Sequence, residues 1–185
     1  MQTGNGTGIR LLVAITLGVT LPLCSIAAGW AQEKHKLAYT LPAALSTFTQ
    51  QHALDVGDVP GHQVRIFEVH RTYPKDLLVV DGVRVVEEWL RGYSDYIDIN
   101  GPAWGYGIYV LENGDKIFTR LQGTSQSVVN PDGSKKNTFA GVVTLAGGTG
   151  KFHGILGTLR ATVIFDPIAG VQGDGQWEGE YWIEK

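Results

Sequence analysis

From His62 to its C-terminus the chain reads as short runs that alternate apolar and polar residues. Turn signals divide the runs, and no segment of helix length repeats with a 3.6-residue period. The runs "HQVRIFEVHRT", "VRVVEEWLRGYSDYI", "AWGYGIYVLE", "DKIFTRLQGTSQSVV", "KNTFAGVVTLA", "ILGTLRATVIF" and "GQWEGEYWIE" are expected to be strands. Asn113-Gly114 and "NPDG" at 130–133 are hairpin signals, because asparagine and glycine tolerate the positive φ of tight turns. Successive strands are therefore expected to be antiparallel neighbours. The preceding segment, "LAYTLPAALSTFTQQHALDVGDVP", supplies either an eighth strand, "LSTFTQQHAL", or an N-terminal arm. A barrel and a sandwich both fit this strand count. Gly92, Gly105, Gly107, Gly141, Gly157 and Gly179 favour the barrel, since glycine is costly inside a strand yet permits the sharp coiling that closure demands. The expected fold is all-β, an eight-stranded antiparallel β-barrel.

The N-terminus has a different composition. After Arg10 comes the uncharged apolar stretch "LLVAITLGVTLPLCSIAA", which reads as a secretory signal peptide spanning 1–31, cleaved after Ala31. A retained anchor is the rival reading, against which Gly18 and Pro22 interrupt the stretch; lipidation at Cys24 is a lesser one, since Leu23 stands where a small residue is needed. The expected organisation is thus 1–31 signal peptide, 32–61 arm or first strand, and 62–185 barrel, in a secreted or periplasmic protein. Cys24 is the only cysteine, so the exported domain would be stable through its core without disulfides. Beyond residue 31 there are 14 Lys and Arg against 18 Asp and Glu, a balance of −4 that argues against nucleic-acid partners, and no basic stripe interleaved with aromatics supports a polyanion-binding role.

The stretch "GGTGKFHGILGTLR" at 147–160 imitates a phosphate loop but fails the test. Phe152 stands where a Walker A loop needs a hydroxyl, Leu145 where it needs glycine, and a strand follows rather than a helix. It is expected to be a reversal between strands, with Phe152 tucked under the end of the sheet and Lys151 in solvent. This stretch, with "ENGDKIFTRLQGT" before it, resembles the plant allene oxide cyclases and the bacterial allene oxide cyclase barrel-like proteins, in which a G-G-x-G-x-F-x-G turn joins two antiparallel strands. Gly147, Gly148, Gly150, Phe152 and Gly154 match the turn. The resemblance implies a barrel related to dirigent proteins and, broadly, to lipocalin-like barrels, and by analogy a homo-oligomer, a trimer in the plant proteins. It also implies a site. The plant enzymes carry an aromatic-Glu-aliphatic-Asn pattern on the first strand; here "FEVH" places Glu68 on the glutamate and His70 on the asparagine. The plant enzymes' cavity cysteine has no counterpart after residue 31.

Glu68 and His70 are two apart and leave one strand face together with Val64 and Ile66, which is expected to face the lumen. There they could act as general acid and base, or anchor the polar end of an apolar ligand. Tyr93, Trp104 and Tyr106 are candidate cavity walls, and Arg120 a counter-charge to Glu68. Arg91 and Asp95 each need a partner across the sheet. No clustered His and Cys suggest a metal, and neither motif nor composition calls for a cofactor. The first functional expectation is a barrel that binds a small hydrophobic molecule. The second is a cofactor-free isomerase or cyclase acting by confinement, and the third an envelope-associated structural protein.

Overall fold

The computed structural model describes residues 32–166 and 171–184, together with Met1 and Gly4. The expected signal peptide and Cys24 lie outside the described residues, apart from those two positions. Ten strands run through the unit Gln32–Lys185: β1 (His35–Leu41), β2 (Ser46–Asp55), β3 (His62–Thr72), β4 (Val79–Val80), β5 (Val83–Ile97), β6 (Gly101–Leu111), β7 (Lys116–Val129), β8 (Lys135–Gly148), β9 (Ile155–Asp166) and β10 (Val171–Ile183). All pairings are antiparallel, in the order β1-β10-β2-β3-β5-β6-β7-β8-β9, with β10 also paired to β9 and β4 to β5. The sheet thus bends back on itself through β10. The β10 contact with β2 is one residue pair, Val171 with Thr47, so no continuous ladder closes it there.

The segment read as an arm or a single strand forms both β1 and β2. Pro42, which lacks an amide hydrogen and has φ −61°, precedes a short 3-10 turn at Ala43–Leu45. Across that break the chain transfers its ladder from β10 to β3. The expected turns form as hairpins. Gly114 and Gly133 both have φ near +84°, and their amides donate to Leu111 and Asn130 carbonyls at 2.9 Å. A third hairpin, between β4 and β5, was not anticipated: Asp81 (φ 47°) and Gly82 (φ 78°) form the two-residue loop with both φ values positive.

This third hairpin carries buried Leu78 and Val80 into the core cluster that also holds Phe152 and Ile155, at one end of the strands. Lys151 is not simply solvated there. Its ammonium is 2.8 Å from the Asp81 carboxylate and donates to the Asp81 carbonyl, while the Asp81 amide donates to the Tyr181 hydroxyl. Phe152 is fully buried, and the glycine-rich turn is occupied by a carboxylate of its own chain: the Lys151 amide donates to Asp115 Oδ2 at 3.3 Å. A Cβ at Gly150 would stand 2.1 Å from Asp115 Oδ1, so glycine is what lets this acid sit against the turn.

Candidate functional site

Alternation along each strand sends one set of side chains inward and the other outward. On β5, Glu88, Leu90, Ser94 and Tyr96 face in, and on β6 Ala103 and Tyr109 do. Gly92, Gly105 and Gly107 belong to the same inward set. A Cβ at Gly92 would lie 2.4 Å from the Trp104 carbonyl oxygen and 2.8 Å from Phe67 Cζ. The inner face of a strongly curved sheet is crowded, and glycine there makes room for the rings that fill it.

These inner faces line a cavity of about 60 Å³, several times the ~10–15 Å³ that one water needs and well below the ~300–1,000 Å³ of drug-sized ligand sites, so it suits only a small molecule. Phe67, Leu90, Phe139, Val143 and Val163 form apolar walls. The polar groups reaching it include Arg71, Glu88, Ser94, Tyr96 and Thr119. Arg71 and Glu88 stand directly opposite each other on β3 and β5 and form a buried ion pair, Nη1 to Oε2 at 3.0 Å. The Tyr73 hydroxyl donates to the same carboxylate oxygen at 2.8 Å. The Arg71 guanidinium lies 5.5 Å from the centre of the Trp177 ring, which is stacked on Tyr39, whose hydroxyl shares a 2.9 Å hydrogen bond with that of Tyr109. The Tyr96 hydroxyl bonds Ser125 Oγ at 2.6 Å, and Arg65 donates to Gln51.

Burial governs the protonation of this group. It raises the Tyr39, Tyr73 and Tyr109 phenols well above their usual range, and the Glu88 charge adds to the rise in each, so all three remain neutral donors. Burial alone would lower Arg71, but the adjacent Glu88 carboxylate outweighs it and the guanidinium is held up. A charged pair, the Trp177 ring and the hydroxyls of Ser94, Tyr96 and Thr119 therefore border one largely apolar space, with the three neutral phenols packed behind the pair. Such a site can hold the polar end of an otherwise apolar molecule, or present a carboxylate and a hydroxyl donor to a reacting one.

The residues expected in the lumen stand elsewhere. Glu68 and His70 lie on the outer face of β3 with Val64 and Ile66, of which Ile66 is 65% exposed; Arg65, Phe67, Val69 and Arg71 are the inward set. The lumen assignment of Glu68 and His70 is thus corrected. Over residues 64–71 both faces of this strand carry two apolar and two polar residues, so hydrophobicity could not choose, and the inward face sets Arg71 against Glu88, whose carboxylate also accepts from Tyr73. Glu68 accepts from the Thr49 hydroxyl and Arg91 Nε, each at 2.7 Å, so Arg91 rather than Arg120 is its counter-charge. His70 stacks on Trp89 with centroids 4.1 Å apart and bonds Glu87 at 2.9 Å. Asp95 also finds its partner on β3: His62 Nε2 is 2.7 Å away, with Nδ1 2.6 Å from Asp58. Tyr93, Trp104, Tyr106 and Arg120 do come together, but on the outer face rather than as cavity walls.

Arg71, Glu88, Tyr39, Tyr73 and Tyr109 were not singled out by sequence. Two signals could have found the pair: opposite charges aligned across neighbouring strands, and the parity of the glycines, which marks the crowded side. Among the described residues, no three His, Cys, Asp or Glu side chains are placed to hold a metal ion. No family model matches the chain, and no curated protein matches it.

Proposed function

We propose that the protein is an exported carrier or receptor that holds a small, largely apolar molecule in its inner cavity, polar end toward Arg71 and Glu88. The observation that carries this reading is the buried ion pair on the wall of a largely apolar space. An ion pair is expensive to bury, so one that borders a cavity is a functional candidate beyond its part in stability. In this proposal β2, β3 and β5 to β10 act as an eight-stranded barrel with its seam at the Val171–Thr47 pair, in keeping with the resemblance to allene oxide cyclase-like proteins. Export rests on the sequence of residues 1–31.

A second reading, a cofactor-free isomerase, is favoured by the hydrogen bond from Tyr73 to Glu88. Glu88 would then take over the acid–base role first given to Glu68, because it borders the cavity and Glu68 does not.

Native mass spectrometry of protein purified from its own export compartment tests the first reading, alongside titration with anilinonaphthalene sulfonate as an apolar probe. Ala161→Leu, which fills the cavity, is expected to remove both the bound mass and probe uptake while the variant still melts cooperatively. A ligand-free wild type that takes up no probe, or an Ala161→Leu variant that binds as well as wild type, would sink the proposal. For the second reading, Glu88→Gln is expected to keep the co-purified molecule within a few-fold of wild-type affinity and to abolish its conversion. Unchanged turnover in that variant excludes an acid–base role for Glu88.

A further inference from the structure

The outer face of the sheet carries a feature that the cavity does not use. In one cross-strand row Tyr93, Trp104, Gln122 and Val142 lie side by side on β5 to β8; two residues along, Arg91, Tyr106, Arg120 and Thr144 do the same. Each of the two β6 rings therefore has a long hydrogen-bonding side chain of β7 directly beside it. Tyr93 and Trp104 stack with centroids 4.9 Å apart and 23° between planes, and Tyr106 is 68% exposed. Between these rings and the β7 and β8 side chains runs a surface trough of about 400 Å³, inside the ~300–1,000 Å³ usual for ligand sites.

The polar groups of the trough distinguish it from a bare apolar face. The side chains of Arg120, Gln122 and Thr144 are exposed and make no hydrogen bond or ion pair with any described residue, and Arg120 is the one charged group among the described residues lining the trough, which is therefore locally positive although the residues after 31 sum to −4. Arg91, on the far side of Tyr106, is held by Glu68. A dry protein surface laid over the trough would have to supply partners for all three polar side chains or leave them desolvated. A sugar ring meets both demands. Its C–H face packs on a tyrosine or tryptophan ring, its hydroxyls answer glutamine and threonine, and a uronate carboxylate answers a guanidinium with two parallel hydrogen bonds. The Trp104 ring costs little ordering entropy because it is already stacked on Tyr93.

We propose that this outer trough is a binding site for an acidic polysaccharide, with Trp104 and Tyr106 as stacking platforms and Arg120 as the carboxylate contact. The site is independent of the cavity. Isothermal titration with oligogalacturonate and with a cello-oligosaccharide of equal length tests it on the full chain. The expected result is tighter binding of the acidic chain, weakened about tenfold or more by Tyr106→Ala or Trp104→Ala, an energy of the size that aromatic contacts carry. Arg120→Gln is expected to erase the preference for the acidic chain while leaving neutral binding in place, and Ala161→Leu to change neither. Tyr106 and Arg120 are exposed, so their variants keep the test open if loss of the Tyr93–Trp104 stack harms folding. No binding of either sugar by wild type, a preference that survives Arg120→Gln, or affinity unaffected by Tyr106→Ala overturns the proposal. So does a change in native mass in the ring variants without a change in sugar binding, which would make the face a contact between copies of this chain.

Discussion

β3 and β5 are joined by two arginine–glutamate pairs of similar length, one on each face of the sheet. Arg71–Glu88 spans 3.0 Å with side chains 5% and 6% exposed; Arg91–Glu68 spans 2.7 Å with 55% and 15% exposed. The chemistry is the same and the surroundings are opposite. Inside, both charges have been taken from water, and a hydroxyl and a tryptophan face complete their shell. Outside, water already solvates the guanidinium, and the pair adds little beyond local order. Distance alone therefore says nothing about what an ion pair contributes. Burial decides it, and burial here was fixed by which side of β3 turned inward.

Breaking the inner pair is the strongest way to test that contrast. Glu88→Gln leaves the Arg71 charge buried and is expected to lower unfolding free energy by about 3–5 kcal/mol, measured by urea denaturation. Replacing both partners at once, Arg71→Met with Glu88→Leu, is expected to recover most of that loss, because no buried charge remains. A double variant as unstable as the single one would mean that the pair organises the core rather than merely balancing charge.

Tyr73→Phe removes the hydroxyl donor to Glu88 and is expected to cost about 1.5–3 kcal/mol, the range for hydrogen bonds to charged groups. On the outer face, Glu68→Gln is expected to change stability by only ~0–1 kcal/mol, falling further as salt is added. If Glu68→Gln proved as damaging as Glu88→Gln, the distinction between the faces would fail.

The smallest effect belongs to the outer-face His62, and pH reveals it. Hydrogen bonds to Asp95 first and Asp58 second raise the His62 pKa above 6.5, because a ring that donates to carboxylates from both nitrogens is favoured as the cation. A group whose folded pKa is raised stabilises fully below its unfolded value, and the contribution is lost as pH rises through the folded value. The partner Asp58 is lowered below 3.8, chiefly by His62, so its share is lost as pH falls into that range. The melting temperature of wild type relative to His62→Gln is therefore expected to be highest between these limits and to converge at alkaline pH. A difference that persists unchanged at pH 9 would assign His62 a packing role alone.

Several parts of this architecture could be read from the residues themselves. The hairpins at Gly114 and Gly133 follow from turn chemistry, and the burial of Phe152 follows from the glycines that surround it. Asp81-Gly82 is an equally plain turn signal, but the strands it joins include the two-residue β4, too short to show alternation. Pro42 breaks the segment read as an arm or a single strand, and the exchange of partners across it depends on where β10 and β3 lie in space. The site was less accessible. Tyr39, Tyr73 and Tyr109 are separated by more than 30 residues along the chain and meet only because β1, the segment after β3, and β6 converge. Arg71 sits three residues beyond Glu68 on the same strand, yet lies on the other face.

By itself the sequence determined most of the strands, most of their turns and the antiparallel succession from β3 onward, because hydrophobic alternation and turn residues act over a few neighbouring positions. The tertiary structure decided which side of β3 became the interior. Alternation on that strand is balanced over residues 64–71, two apolar and two polar residues on each side, and only the opposed carboxylate of Glu88 with the phenol of Tyr73 makes it favourable to bury a guanidinium. That choice set Arg71 at the cavity, put Glu68 and His70 outside, and left the tyrosines, tryptophan and arginine of the trough facing solvent.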